Sequence, residues 1–454
     1  MRKGFFKKMA AVVLAVVTTM TMFTGCGGAG STSASTKSIT IQGGNTEGDL
    51  DPAGVALGMF IQYSRLCLEP LVTYDSDGKV SKAMAESYEE SSDGLTWTFH
   101  LRKDAKWSDG SAVTSADFVN TIKRSLDGKT SKSIYADMLS PIVGATEAYA
   151  GTASVDNVGV TAPDDYTIEF KLVKPCSYFL KLIAMQCCYP SKAGIATNEN
   201  ETWYTDPKTN LANGAFYMTE YVQGQYYKLK KNPNYYDADK VYLEDITVKF
   251  IDDATAAVSA YKTNEVDFAT NLPAYVMSEY QGKSDLVLQP NITTRFILFN
   301  VTKAPFNNDK VRRAISMALS RAEICKTVGD DYEASTQFIA KYMLSNLGTG
   351  KKFSDESGEM VTEDIAKAKS LLAEAGYPNG AGFPTVTYNY PNNEQDKLIA
   401  QAIQAQLKSA LNINVELNGM ESQVCVSERK SGNFDMTRHN WTADYDDAMD
   451  YLLM

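Results

Sequence analysis

The sequence predicts a mixed α/β protein in two parts, β-richer as far as about Asn300 and α/β beyond it. Two observations predict this. In the first part, short runs alternate apolar and polar residues, the period of a half-buried strand. In the last third, a strand pattern over Thr385–Tyr390, a helical pattern over Glu394–Leu411 and a second strand pattern over Ile413–Leu417 follow one another. That order is a β-α-β unit, whose strands pair in parallel with the helix laid across them.

In chain order, Ser38–Gln42 is a short strand, broken by Gly43, Gly44, Gly48 and Asp51-Pro52. Trp97, Phe99 and Leu101 alternate with Thr98, His100 and Arg102. Ile168, Phe170 and Leu172 alternate with polar neighbours in the same way, as do Ile246, Val248 and Phe250. Ser115–Leu126 is helical, with Ser115 at the N-cap and Asp117 in the first turn, where a carboxylate meets free N–H groups. Asp309 caps a helix with Val311, Ala314, Ile315, Ala318 and Leu319 on one face. Thr362 caps another, which runs to Ala375 and stops at Gly376.

The chain has 454 residues, 44% hydrophobic and 22% charged, an ordinary globular composition with length for two or three cores. Its net charge of −11 argues against nucleic acid, which needs clustered Lys and Arg. It argues equally against docking on an anionic bilayer. His100 and His439 are the only histidines, so neither a metal site nor a cofactor is expected. Seven cysteines include no Cys-x-x-Cys pair, and buried free thiols are expected rather than a disulfide framework.

Arg2, Lys3, Lys7 and Lys8 precede an uncharged run from Met9 to Phe23 and then Gly25-Cys26. A basic segment, a short apolar segment and a small residue before the cut form a secretory signal, so residues 1–25 are expected to be a signal peptide. Phe23-Thr24-Gly25-Cys26 resembles a bacterial lipobox, with Phe23 departing from the usual Leu, Val or Ile. Cys26 is therefore expected to be acylated. Residues 26–37, rich in Gly, Ser, Ala and Thr, form a flexible tether to a body that stays in water.

Residues 85–126 read AESYEESSDGLTWTFHLRKDAKWSDGSAVTSADFVNTIKRSL. This segment closely resembles the signature of the family 5 extracellular solute-binding proteins, the oligopeptide, dipeptide and nickel binders of ABC importers. Other segments match in the family's order. They are Leu68-Glu69-Pro70-Leu71, Asn213-Gly214-Ala215-Phe216, Lys231-Asn232-Pro233-Asn234-Tyr235-Tyr236, Val311-Arg312-Arg313-Ala314-Ile315 and Trp441-Thr442-Ala443-Asp444-Tyr445. The resemblance covers Ser38 to the end. It implies a periplasmic-binding-protein-like fold of type II, similar to cluster C, with two lobes closing over ligand like a hinged clamp. Lobe one would comprise 38–72 and 188–300 with an inserted subdomain at 73–187, and lobe two 301–454. The family runs beyond the point matched by Met454, so lobe two is expected to be incomplete in this sequence.

The resemblance also implies the ligand and the residues that hold it. A peptide offers an ammonium, a carboxylate and backbone donors and acceptors, and a binder of many sequences holds the ends and the backbone. Asp444, in the Trp-x-Ala-Asp-Tyr pattern, would pair with the ammonium, although Asp446, Asp447 and Asp450 beside it also suit an ordinary acidic loop. Arg438 would meet the carboxylate of short peptides, its alternative being a surface arginine. Trp441 would wall the pocket or simply pack in the core. Tyr135 matches a pocket tyrosine of the inserted subdomain, and Gly58 falls in a first-lobe loop that meets the peptide main chain. Ser422 stands where the oligopeptide branch often has Trp.

The expected protein is thus a monomeric, non-enzymatic solute binder on the outer face of the cell membrane. Its partners would be short peptides and an ABC permease and ATPase, its membrane contact the lipid alone, with no nucleic acid. A nickel chelate or an oligosaccharide on the same fold is the alternative ligand. A secreted hydrolase is the second alternative, with His439 as a base, but no Gly-x-Ser-x-Gly, His-Glu-x-x-His or P-loop is present.

Overall fold

The computed structural model describes residues 37–43, 50–54, 58–75, 78–131, 133–200, 202–270, 272, 274–288, 291–328, 332–345 and 350–452. The expected signal peptide and Cys26 lie outside them.

Three four-stranded sheets carry the fold. Along the chain the strands are β1 (Ser38–Gly43), β2 (Val72–Tyr74), β3 (Val80–Lys82), β4 (Ala85–Glu90), β5 (Thr96–Leu101), β6 (Val160–Asp164) and β7 (Thr167–Lys171). There follow β8 (Phe216–Val222), β9 (Tyr226–Lys231), β10 (Asp245–Phe250), β11 (Thr293–Phe299), β12 (Val386–Pro391), β13 (Val415–Met420) and β14 (Met436–Thr442). The first sheet is ordered β1-β10-β9-β8, with β1 parallel to β10 and the rest antiparallel. A second, antiparallel sheet runs β4-β5-β7-β6, and β2-β3 form a separate hairpin. The third sheet is ordered β11-β14-β12-β13.

Each sheet closes over its own apolar cluster. Tyr63, Tyr227, Met218 and Val248 fill the first, and Phe99, Trp107, Phe118, Phe170 and Phe179 the second. Phe306, Ile315, Leu372, Tyr388 and Leu407 fill the third. These side chains are essentially inaccessible, each worth about 1.5–3 kcal/mol over exposure. The cysteines at 67, 176, 187, 188 and 425 are buried free thiols and Cys325 is half-buried and free.

The β-α-β unit forms as its pattern predicts. β12 and β13 pair in parallel, and the helix between them spans Glu394–Leu411. Asn393 caps that helix, its side-chain oxygen accepting from the Asp396 N–H at 2.9 Å. Three other caps shift by one or two residues. Thr114 caps the helix Ser115–Leu126, Asn308 caps Asp309–Ala318 and Asp364 caps Ile365–Glu374. In the first case the Ser115 hydroxyl is drawn away to the Asp164 carbonyl, 2.5 Å distant.

β11, read with lobe one, pairs antiparallel with β14 from Thr293↔Thr442 to Phe299↔Met436, so the third sheet begins before residue 300. The pairing partner decides which sheet this strand joins, and that partner lies in the far C-terminal part of the chain. Among the described residues no helix is long and apolar enough to cross a membrane.

Candidate functional site

β12, β13 and β14 point the same way, so their carboxyl ends share one edge of the third sheet. The helices Glu394–Leu411 and Ser422–Lys430 begin at that edge. In open α/β sheets, ligands bind in the crevice outside such ends. Asp444 sits there, two residues past the end of β14.

The segment carrying Asp444 leaves the third sheet and meets the region built on the second. On the near side the Ala443 N–H donates to the Ile292 carbonyl at 3.0 Å and the Leu344 N–H to Asp446 Oδ1 at 3.0 Å. On the far side Tyr445 stacks on Tyr178, ring centres 5.6 Å apart and planes 10° from parallel. Lys181 donates to the Asp446 carbonyl and stands 3.5 Å from Asp447 Oδ2. The Tyr135 hydroxyl donates to the Asp444 carboxylate.

Asp444 is half-buried, and its ion pairs among the described residues are none. Burial first, then the charge of Asp450, pushes its pKa up to about 7, with the Tyr135 bond opposing them. Asp450 itself is 2% exposed. Its Oδ2 accepts from Trp441 Nε1 at 2.6 Å and from the Asp444 N–H at 3.2 Å. Burial raises the Asp450 pKa as well.

The structure therefore brings Asp444, Tyr135 and Trp441 together, Trp441 through Asp450. Trp441 is half-buried against the cluster of Ile339, Met343 and Tyr451. Arg438 is placed differently. Alternation along β14 sets it on the opposite face from Trp441. There its Nε donates to Asp396 Oδ1 at 3.1 Å and its Nη1 to Asn440 Oδ1 at 2.5 Å. Arg295 Nη1 stands 3.2 Å from the same Asp396 oxygen. Asp396, 3% exposed, thus serves two guanidiniums. Gly58 opens the helix Gly58–Cys67 of the first region, and its contacts lie outside what is described. Ser422 opens its helix at the sheet edge, after the capping residue Glu421. His439 packs 5.3 Å from Phe296, and burial, then Arg429 and Arg438, lower its pKa to about 4. Among the described residues no group of three or more His, Cys, Asp or Glu side chains is placed to hold a metal ion.

Sequence reasoning missed Asp396, Arg295 and Lys181, which are ordinary charged residues in the sequence. It noted Asp450 only as part of an acidic run.

The family model of the bacterial extracellular solute-binding proteins, family 5 (middle) matches residues 79–454. The periplasmic oligopeptide-binding protein OppA of Escherichia coli (strain K12) is 30% identical over 431 residues, 93% of this chain and 78% of that one. YgiS of the same organism, described as a probable deoxycholate-binding periplasmic protein, is 31% identical over 413 residues, 89% of this chain and 75% of that one. The solved structure of OppAIV, a periplasmic oligopeptide-binding protein and oligopeptide ABC transporter from Borrelia burgdorferi, is similar with a TM-score of 0.73. It is 28% identical, over 92% of this chain and 82% of that chain. Such neighbours are two-lobed periplasmic peptide-binding proteins of mixed α/β structure. The chain belongs to the bacterial extracellular solute-binding proteins, family 5.

Proposed function

We propose that this chain captures short peptides between its two lobes and delivers them to the permease and ATPase of an ABC importer, without chemical change to the peptide. The observation that carries the reading is Asp444, a half-buried carboxylate with no cation partner among the described residues, at the carboxyl edge of the third sheet. A peptide ammonium supplies the missing charge. Such a charge-assisted hydrogen bond is worth about 1.5–3 kcal/mol. Tyr135 orients the carboxylate and Trp441 walls the site.

In this reading lobe one comprises 38–72 and 188 to the start of β11, the subdomain 73–187, and lobe two the rest. A signal peptide over 1–25 and a lipid on Cys26 hold a monomeric body at the outer face of the membrane. Radiolabelled palmitate incorporation, lost in Cys26→Ala, tests the anchor.

The ligand is tested by titration calorimetry with trialanine and N-acetyl-trialanine. Asp444→Ala weakens the free amine by about tenfold or more and the acetylated peptide much less. Equal losses for both, or no peptide binding by the native chain, remove the reading. Deoxycholate, named for one relative, is an anion and brings no positive charge to Asp444. Its retention in place of peptides would assign the site to another solute class.

A further inference from the structure

The segment behind β14 carries Asp444, Asp446, Asp447 and Asp450 within seven residues. Two of the four are provided for by the chain itself. Asp447 has Lys181 at 3.5 Å and accepts from the Met449 N–H at 3.0 Å. Asp446 accepts from the Leu344 N–H. Asp444 and Asp450 have no cation among the described residues. They are also joined, since the N–H of one donates to the carboxylate of the other at 3.2 Å.

Asp450 carries a second and independent irregularity. Its Oδ2 is bonded to Trp441 and to Asp444, but its Oδ1 is buried without a hydrogen-bond partner among the described residues. Native proteins almost always satisfy such atoms, because a buried acceptor with nothing to accept forfeits its hydration for no return. An orphaned carboxylate oxygen beside the ammonium-binding carboxylate marks a place for a donor that arrives with the ligand.

We propose that the site prefers ligands whose amino end carries two positive charges, a peptide opening on Lys, Arg or ornithine, and that Asp450 sets this preference. The proposal rests on the reading of Asp444 given above. A single ammonium neutralises one of two adjacent carboxylates and leaves the other buried and uncompensated. A first residue with a cationic side chain supplies both charges from one position. The lysine ammonium, on a flexible four-carbon stem with three donors, suits the orphaned Oδ1. Burial raises the pKa of both acids, and the charge of Asp450 adds to the rise at Asp444.

The test compares Lys-Ala-Ala with norleucine-Ala-Ala, which has a first side chain of similar length and no charge. Titration calorimetry is run on the full chain at pH 7.5 and 0.15 M salt, where long-range attraction to the net charge of −11 is screened. The native chain binds the lysine peptide about tenfold more tightly, and in Asp450→Asn the ratio falls below about threefold. The substitution keeps the acceptor for Trp441 and changes the net charge by one unit only. Equal affinities in the native chain overturn the proposal with no variant needed, and leave amine-dependent binding intact. A full tenfold ratio in Asp450→Asn also overturns it, because the preference then comes from elsewhere. Failure of the native chain to bind either peptide removes both this proposal and the reading of Asp444.

Discussion

Two charged clusters stand at one edge of the third sheet and are built in opposite ways. Around Asp396 a single buried carboxylate is shared by Arg295 and Arg438, with Arg429 close enough to depress His439. Around Asp444 stand four carboxylates, of which Asp447 has Lys181 at 3.5 Å, while Asp444 and Asp450 have no cation among the described residues. In the first cluster both guanidiniums have a carboxylate partner within the chain, and in the second negative charge is to spare. A buried ion is tolerated when partnered, and removing the partner costs far more than the pair contributes. The contrast therefore separates a self-sufficient pair, which is scaffold, from an incomplete one, which awaits a charge from outside.

Breaking the self-sufficient cluster has the largest effect. Asp396→Ala strands two arginines and removes the Asn393–Asp396 bond at the start of the helix Glu394–Leu411. Urea unfolding should show a loss of about 3–5 kcal/mol. A loss below about 1 kcal/mol would mean that the arginines reach water and that the pair is not scaffold. Lys181→Met comes next. It removes the ammonium beside Asp447, whose side chain is 1% exposed, and lowers stability by about 2–4 kcal/mol. Lys181→Arg recovers most of this if charge, not stem packing, is the cause.

The smallest effects sharpen the comparison through pH. Asp444 has an ordinary pKa of 3.8 and a folded one of about 7, so the ligand-free fold binds its proton more tightly than the unfolded chain does. Its contribution to stability is most favourable below about pH 4 and declines as pH rises towards 7. Asp444→Asn removes that decline, so its melting temperature gains on the native chain more at pH 8 than at pH 4. Trialanine affinity moves the other way, rising as Asp444 ionises up to about pH 7. It falls above about pH 8 as the peptide amine loses its own proton. A native profile that is flat between pH 5 and 7 would mean that the ligand does not meet Asp444.

What was legible in the sequence is what neighbours along the chain decide. The helix Glu394–Leu411 was readable to both ends because its apolar spacing and the residues that flank it, Asn393 and Asn412, are neighbours along the chain. The parallel pairing of β12 and β13 followed from the length of the crossover between them. Asp444 stood out through a resemblance spread over many short segments, not through its own surroundings, where three further aspartates lie. The caps at Thr114, Asn308 and Asp364 were misplaced by one or two residues because adjacent Ser, Thr, Asn and Asp all suit that position.

The sequence by itself determined the local elements, the family and the residue types available for a ligand's ends. Tertiary structure alone decided which of them meet. It set Tyr135 on Asp444 across the whole middle of the chain, gave β11 to the later sheet, and turned Arg438 towards Asp396. It left Asp450 with one oxygen that nothing in the described chain satisfies. The physical reason is range. Helix caps and strand alternation are fixed by dihedrals and contacts among near neighbours, whereas charge balance and burial depend on whatever distant residues the fold delivers to the same few ångströms.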